Sequence, residues 1–278
     1  MAKKRDLISA LPFGADLEIR GPAENKLFQL DHIYNHNEYP TVHASADEWS
    51  IYTFKTLHYY SEATSYLPEP NTRKITLGIK EQQTIELPVG ATLNLYKHIQ
   101  SKRGFVLNLG CSVLGLDFAP KRPEVDTSPH TQYLATSGFR GAEGEHHLYN
   151  EVYPEGTYKN SIMIWRCELS IENTETDPVL DLCLLHDYGP IKELKWCPYG
   201  AYDEVCPIFL SEESSEEGWP KLGLLAIVCS DNSVRVLVVP HPRAVRESIG
   251  EMDSSKAVYS KSSYNIQNEN NNNNNNKK

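Results

Sequence analysis

Between residues 104 and 240 apolar side chains come in short runs that alternate with polar ones, and the runs stop at proline, glycine or an Asp-Asn pair. Period-two runs of this kind predict β-strands. Two of them match position by position. In "VLGLDFAP" (113–120) and "IKELKWCP" (191–198), Val113 aligns with Ile191, Leu116 with Leu194, Phe118 with Trp196 and Pro120 with Pro198, at a constant offset of 78 (191 − 113). Downstream, "YLATSG" (133–138) and "LLAIVCSD" (224–231) align Leu134 with Leu225 and Ala135 with Ala226. "SIMIWRCEL" (161–169) and "SVRVLVVPH" (233–241) then both alternate after a serine. Each series is preceded by a further strand pattern, "GFVLNL" (104–109) or "VLDLCLL" (179–185).

The same order of four short strands, met twice, is the sequence mark of a propeller blade. In "CSDNSVRVLVV" the Asp-Asn pair suits a tight turn between strands, because both residues tolerate positive φ. Trp165 stands where a WD repeat carries its Trp-Asp pair, but Arg166 follows it, and the second unit has Leu237–Val238. These are degenerate repeats. The predicted class is all-β: an incomplete WD40-like β-propeller over 73–245. Residues 73–107, "RKITLGIKEQQTIELPVG" onward, alternate as two strands and set the upper count at three blades. Residues 1–72 read as an irregular N-terminal arm rich in His, Tyr and Pro. Residues 246–278 read as a polar, Asn-rich disordered tail with too few apolar groups to bury.

A WD unit runs about 40–45 residues, so the offset leaves room for two insertions, 139–160 and 199–221. Long loops on a rigid propeller serve as partner-binding surfaces or are simply tolerated on the surface. The second carries an acidic run, Glu212, Glu213, Glu216 and Glu217, beside Tyr199, Tyr202, Phe209 and Trp219. As a surface this is an aromatic anchor with a polar surround for a basic partner. As plain structure it is a solvated, self-repelling loop whose aromatics cap their own blade.

The chain has 278 residues, 40% hydrophobic and 23% charged, an ordinary globular composition. Its formal net charge of −10 opposes direct phosphate binding, which needs clustered Lys and Arg. "QSKRG" (100–104) and "PKRP" (120–123) are small basic spots. No apolar run has the roughly 20 residues of a membrane span. The N-terminal "KKR" is a weak nuclear-import signal. The six cysteines form no CxxC pair and read as reduced core residues.

Catalytic patterns are not met. "GCSVLG" (110–115) is G-x-S-x-x-G rather than G-x-S-x-G, and a strand rather than a helix follows Ser112. Cys111 sits in a turn with no His–Asn partner suggested. His146 and His147 lie near Glu143, Glu145 and Glu151, but adjacent extended side chains point apart and chelate poorly. Cys197 and Cys206 lack zinc-knuckle spacing. No phosphate-cradling motif occurs. The expectation is no enzyme, no metal, no cofactor and no small-molecule substrate.

"GFVLNLGCSVLGLDFAP", "DYGPIKELKWCPYGAY" and "KLGLLAIVCSDNSVRVLVVPHP", taken in order, resemble the WD-repeat subunit of TFIIIC, the complex that recognises internal promoters of RNA polymerase III genes. The likeness covers about residues 73–245. It implies a nuclear, non-catalytic assembly subunit that pairs with a second propeller subunit. The pair belongs to the module engaging the B-box, with DNA recognition shared with a larger subunit and direct contact absent or indirect. It also implies a partial chain, since that family's propeller needs roughly seven blades. The alternative is a generic WD-type adaptor in another multiprotein complex.

Overall fold

The computed structural model describes residues 52–57, 60–78, 81–120, 130–141, 150–169, 176–198 and 220–264. No helix among them is long and apolar enough to cross a membrane. The chain enters through strand β1 (Tyr52–Leu57), one helical turn α1 (Tyr60–Ala63) and a 3-10 turn (Thr64–Tyr66). Two small ladders follow. β2 (Thr72–Leu77) pairs with β3 (Gln83–Pro88), and β4 (Thr92–Asn94) with β5 (Phe105–Leu107). The strands read from 73–107 therefore exist, but they make two separate two-stranded sheets and not a third blade.

β6 (Ser112–Phe118), β7 (Thr131–Phe139), β8 (Asn160–Glu168) and β9 (Val179–His186) are successive antiparallel neighbours. β10 (Ile191–Trp196), β11 (Lys221–Cys229) and β12 (Val234–Pro240) form a second antiparallel sheet. The two sheets repeat each other in register. Phe118 pairs with Leu134 as Trp196 pairs with Leu225, and Leu134 pairs with Trp165 as Leu225 pairs with Leu237. Both first strands bulge at the same place, between Val113 and Gly115 in β6 and between Ile191 and Glu193 in β10. The extra residue sharpens twist there and re-aims the side chains that follow.

The turn into each first strand is held by one device. Asn108 Oδ1 accepts from the Gly110 N–H at 3.1 Å, and His186 Nδ1 accepts from the Tyr188 N–H at 3.3 Å. The β11–β12 turn places Asn232 at φ 67, as its residue type predicts.

Three features depart from the sequence reading. The second sheet has three strands, because the strand ahead of β10, β9, pairs with β8 in the first sheet instead. After β12 the chain makes a short helix, α2 (Pro242–Ser248), where a tail was expected to begin. It then returns as β13 (Val258–Tyr264), which lies parallel to β9 and antiparallel to β1 and completes a six-stranded sheet. The disordered tail expected from 246 is thus ordered through Tyr264, and residues 265–278 lie outside the described residues. Likewise Tyr52–Leu57 and 60–66 are regular within the arm expected to be irregular.

Arg246 on α2 explains how a polar stretch is held. It pairs with the buried carboxylate of Asp181 on β9 and donates to the Asp253 and Lys256 carbonyls at 2.7 and 2.8 Å. Arg166 approaches the same carboxylate at 3.8 Å. A buried charge kept among this many partners is tolerated, whereas removing one partner leaves the other stranded.

The main core lies between the two sheets and includes Ala135, Ile162, Ile164, Leu182 and Leu184 against Ile191, Leu194, Trp196, Leu225 and Ile227. The opposite face of the first sheet, with Met163, Trp165, Cys183 and Leu185, is covered by Ala63 and Tyr66. The Trp165 indole donates to Thr136 Oγ1 at 3.2 Å. At the matching places of the second sheet the pair is Ile227 and Leu237, which need no hydrogen bond.

Candidate functional site

The residues picked from sequence as a contact surface, Tyr199, Tyr202, Phe209, Glu212, Glu213, Glu216, Glu217 and Trp219, all lie outside the described residues. The base of that insertion is described. The Cys197 N–H donates to the Leu224 carbonyl at 2.8 Å, and the His241 N–H to the Pro220 carbonyl at 2.7 Å. The insertion thus leaves from and returns to one end of the second sheet.

Of the first insertion, residues 142–149, including Glu143, Glu145, His146 and His147, also lie outside. Its second half is tied down. The Tyr153 N–H donates to the Ser230 carbonyl, the Gly156 N–H to the Asp187 carbonyl and the Gly189 N–H to the Tyr158 carbonyl. Residues 150–159 therefore strap the β9–β10 connection to the β11–β12 turn.

Under that strap lies a polar cluster that sequence reasoning passed over. Arg235 reaches Asp231 at 2.8 Å and Glu155 at 3.1 Å, and stacks on the Tyr188 ring at 3.8 Å. Tyr188 in turn stacks on His186, centroids 5.2 Å apart. Burial pushes His186 down to about 3, aided by the positive Arg235 and opposed by Asp231. Burial works to raise the Asp231 carboxyl, but hydrogen bonds from Ser233 and Arg235 outweigh it and hold it below the usual value. Burial also works to lower Arg235, and the carboxylates of Asp231 and Glu155 outweigh it. The cluster is a structural clamp, in which the Arg235 guanidinium is answered by the carboxylates of Asp231 and Glu155.

Four of the described cysteines are held as neutral thiols. Burial pushes the thiols of Cys111 and Cys167 up to about 11 and those of Cys183 and Cys229 to about 12. Neutral thiols are weak nucleophiles. Ser112 opens strand β6 rather than a strand-to-helix elbow. Among the described residues no three His, Cys, Asp or Glu side chains come together as a metal site.

The most distinctive described surface is on β6, at the free edge of the six-stranded sheet. Val113, Leu116 and Phe118 are 42%, 56% and 43% exposed, whereas their equivalents Ile191, Leu194 and Trp196 are 0%, 1% and 5% exposed. The buried trio is seated on the other side of β6. A side chain at Gly115 would meet Leu194 at 3.1 Å, and Asp117 accepts the Trp196 N–H through Oδ2 at 3.0 Å and the indole N–H through its carbonyl at 3.2 Å.

No family model matches the chain. Over 183 residues, 65% of its length, it is 31% identical to the transcription factor tau subunit sfc6 of Schizosaccharomyces pombe (strain 972 / ATCC 24843). The match spans 26% of that protein, so the chain covers about a quarter of the length of the curated relative. In sequence, then, this mostly β chain is related to a transcription factor subunit.

Proposed function

We propose that the chain is a non-catalytic assembly subunit of TFIIIC that supports RNA polymerase III transcription through B-box promoter recognition. The observation that carries this reading is the likeness to a transcription factor tau subunit over 65% of the chain. It is supported by two sheets of matching register that offer surfaces rather than reactive groups. In this reading the sheets are consecutive blades of a WD-type propeller. Its partners are a second propeller subunit and the large B-box-binding subunit, and it works in the nucleus. The insertion 199–221 is its contact loop, with Trp219 as anchor and the four glutamates facing a basic partner.

Affinity purification of the tagged chain with mass spectrometry tests this directly. TFIIIC subunits are expected to co-purify. Changing Trp219 to Ala and the four glutamates to Ser is expected to remove them while circular dichroism and protease resistance stay unchanged. Co-purification of a different assembly overturns the reading. The protein alone is expected to bind duplex DNA weakly, because a net charge of −10 opposes approach to phosphate. A sub-micromolar, salt-resistant complex with a B-box duplex would refute that part.

A further inference from the structure

The turn that covers the Trp165 face of the six-stranded sheet gathers positive charge around one hydroxyl. Ser65, in the 3-10 turn Thr64–Tyr66, is exposed, while Tyr66 beside it is buried. Three cations converge on this pair from three elements. Arg140, just past the end of β7, donates from its guanidinium to the Ser65 carbonyl. The Tyr158 hydroxyl donates to the Arg140 carbonyl and so fixes the backbone from which that side chain reaches. Lys159, just ahead of β8, places Nζ 3.5 Å from Ser65 Oγ and 5.1 Å from the Tyr66 ring centroid. Lys261 on β13 approaches the same ring at 5.1 Å. Asp187 answers Lys261 at 3.7 Å. Arg140 and Lys159 have no carboxylate partner among the described residues; what their charged groups touch is the neutral Ser65 and Tyr66.

We propose that Ser65 is a phosphorylation site whose phosphoserine is held by Arg140 and Lys159. An ammonium 3.5 Å from a hydroxyl oxygen is beyond the usual hydrogen-bond range. A phosphoryl group on that oxygen carries three strong acceptor oxygens one bond further out, with close to two negative charges at neutral pH. It replaces contacts to neutral groups by charge-assisted hydrogen bonds, which are the stronger kind. The donor is the ATP of a protein kinase. The bond from Ser65 Oγ to the γ-phosphorus forms, the bond from that phosphorus to the leaving oxygen of ADP breaks, and the hydroxyl proton passes to solvent. The consequence is mechanical. Ala63 and Tyr66 cover Met163, Trp165, Cys183 and Leu185, and a phosphate gripped by Arg140 and Lys159 ties that cover to the ends of β7 and β8. Ser61, exposed in the turn before it, has no cation at its hydroxyl among the described residues. The site goes beyond the assembly reading and does not rest on it.

The test begins with phosphopeptide mapping of the tagged full chain from its own cells, growing, starved and stressed. Phosphate on Ser65 is expected, and its absence under all three conditions overturns the proposal. The full chain is then made with phosphoserine placed at 65 by codon suppression, and with the same residue at 61 as control. Phosphate at 65 is expected to raise the thermal midpoint by about 3 °C at low salt and to slow amide exchange across 60–67 at least tenfold. Salt at about 1 M is expected to remove most of the rise, because the pairs are exposed and screened. Arg140→Gln combined with Lys159→Gln is expected to abolish both effects. Should the double variant disturb folding of the unphosphorylated protein, Lys159→Gln alone serves, with about half of each effect lost. No effect at 65, an equal effect at 61, or an effect that survives these substitutions overturns the proposal.

Discussion

Strands β6 and β10 have nearly the same pattern and opposite surroundings. Both carry a bulge at the matching residue, both lie at a sheet edge, and both present three apolar side chains to one side. In β10 those side chains form the middle of the larger core; in β6 they meet solvent. The lesson is that the apolar pattern of a repeat describes a contact, while the next unit decides whether the contact is made.

The largest effect expected from breaking this comparison is at Trp196. Trp196→Ala removes a buried indole and leaves a cavity between the sheets, costing about 3–5 kcal/mol. The equivalent Phe118→Ala changes the isolated protein by less than about 0.5 kcal/mol. Urea unfolding of the two variants checks the pair, and equal losses would mean that β6 is covered as β10 is.

Next in size is a dependence on pH that arises at the turn into β10. His186 is held neutral with its folded value pushed down to about 3, below the ordinary 6.5. Above 6.5 neither state binds the proton and nothing is lost. As pH falls below 6.5 the unfolded chain takes up a proton that the folded one refuses, so stability declines until the folded value is reached. Between pH 6.5 and 5 the loss is about 2 kcal/mol. The first unit does the same capping job with Asn108, which does not titrate. His186→Asn is therefore expected to flatten the dependence between pH 6.5 and 5 in thermal scans, leaving the fall that Asp231 causes below about 4. An unaltered slope would show that His186 is not its source.

The smallest difference concerns the polar partners. Asp117→Ala strands the Trp196 N–H and is expected to cost on the order of 1–2 kcal/mol. Lys195→Ala, the same place one repeat on, is exposed and is expected to be near neutral. Chemical denaturation of both variants measures the gap, and a neutral Asp117→Ala would remove the hydrogen bond from the account of the seat.

Much of the repeat was legible. Matched apolar positions placed β6 against β10, and the Leu134–Leu225 alignment agrees with the ladders. The Asp-Asn turn was legible because Asn232 is among the few residue types that suit φ 67. The return of the chain as β13 was not. "VYSKSSY" carries serines that read as tail, yet Ser260 is fully buried beside β9. A small side chain fits wherever a neighbour already supplies the ladder, and no local period announces that. The cluster of His186, Tyr188, Asp231 and Arg235 escaped notice because its members come from two connections far apart in the chain. For the picked contact residues from Tyr199 to Trp219, the described residues give the base of the loop and nothing beyond it.

By itself the sequence determined the local elements: which residues alternate, where strands stop, where a turn tolerates positive φ, and that one unit occurs twice. These depend on side-chain period and backbone sterics, which act over a few residues. Only the tertiary structure decided that β9 joins the first sheet, that Arg246 on α2 pairs with Asp181 as β13 returns beside β9, and that Leu194 is buried while Leu116 is exposed. Those outcomes depend on which surfaces meet, and burial is a property of the pair of surfaces, not of either strand alone.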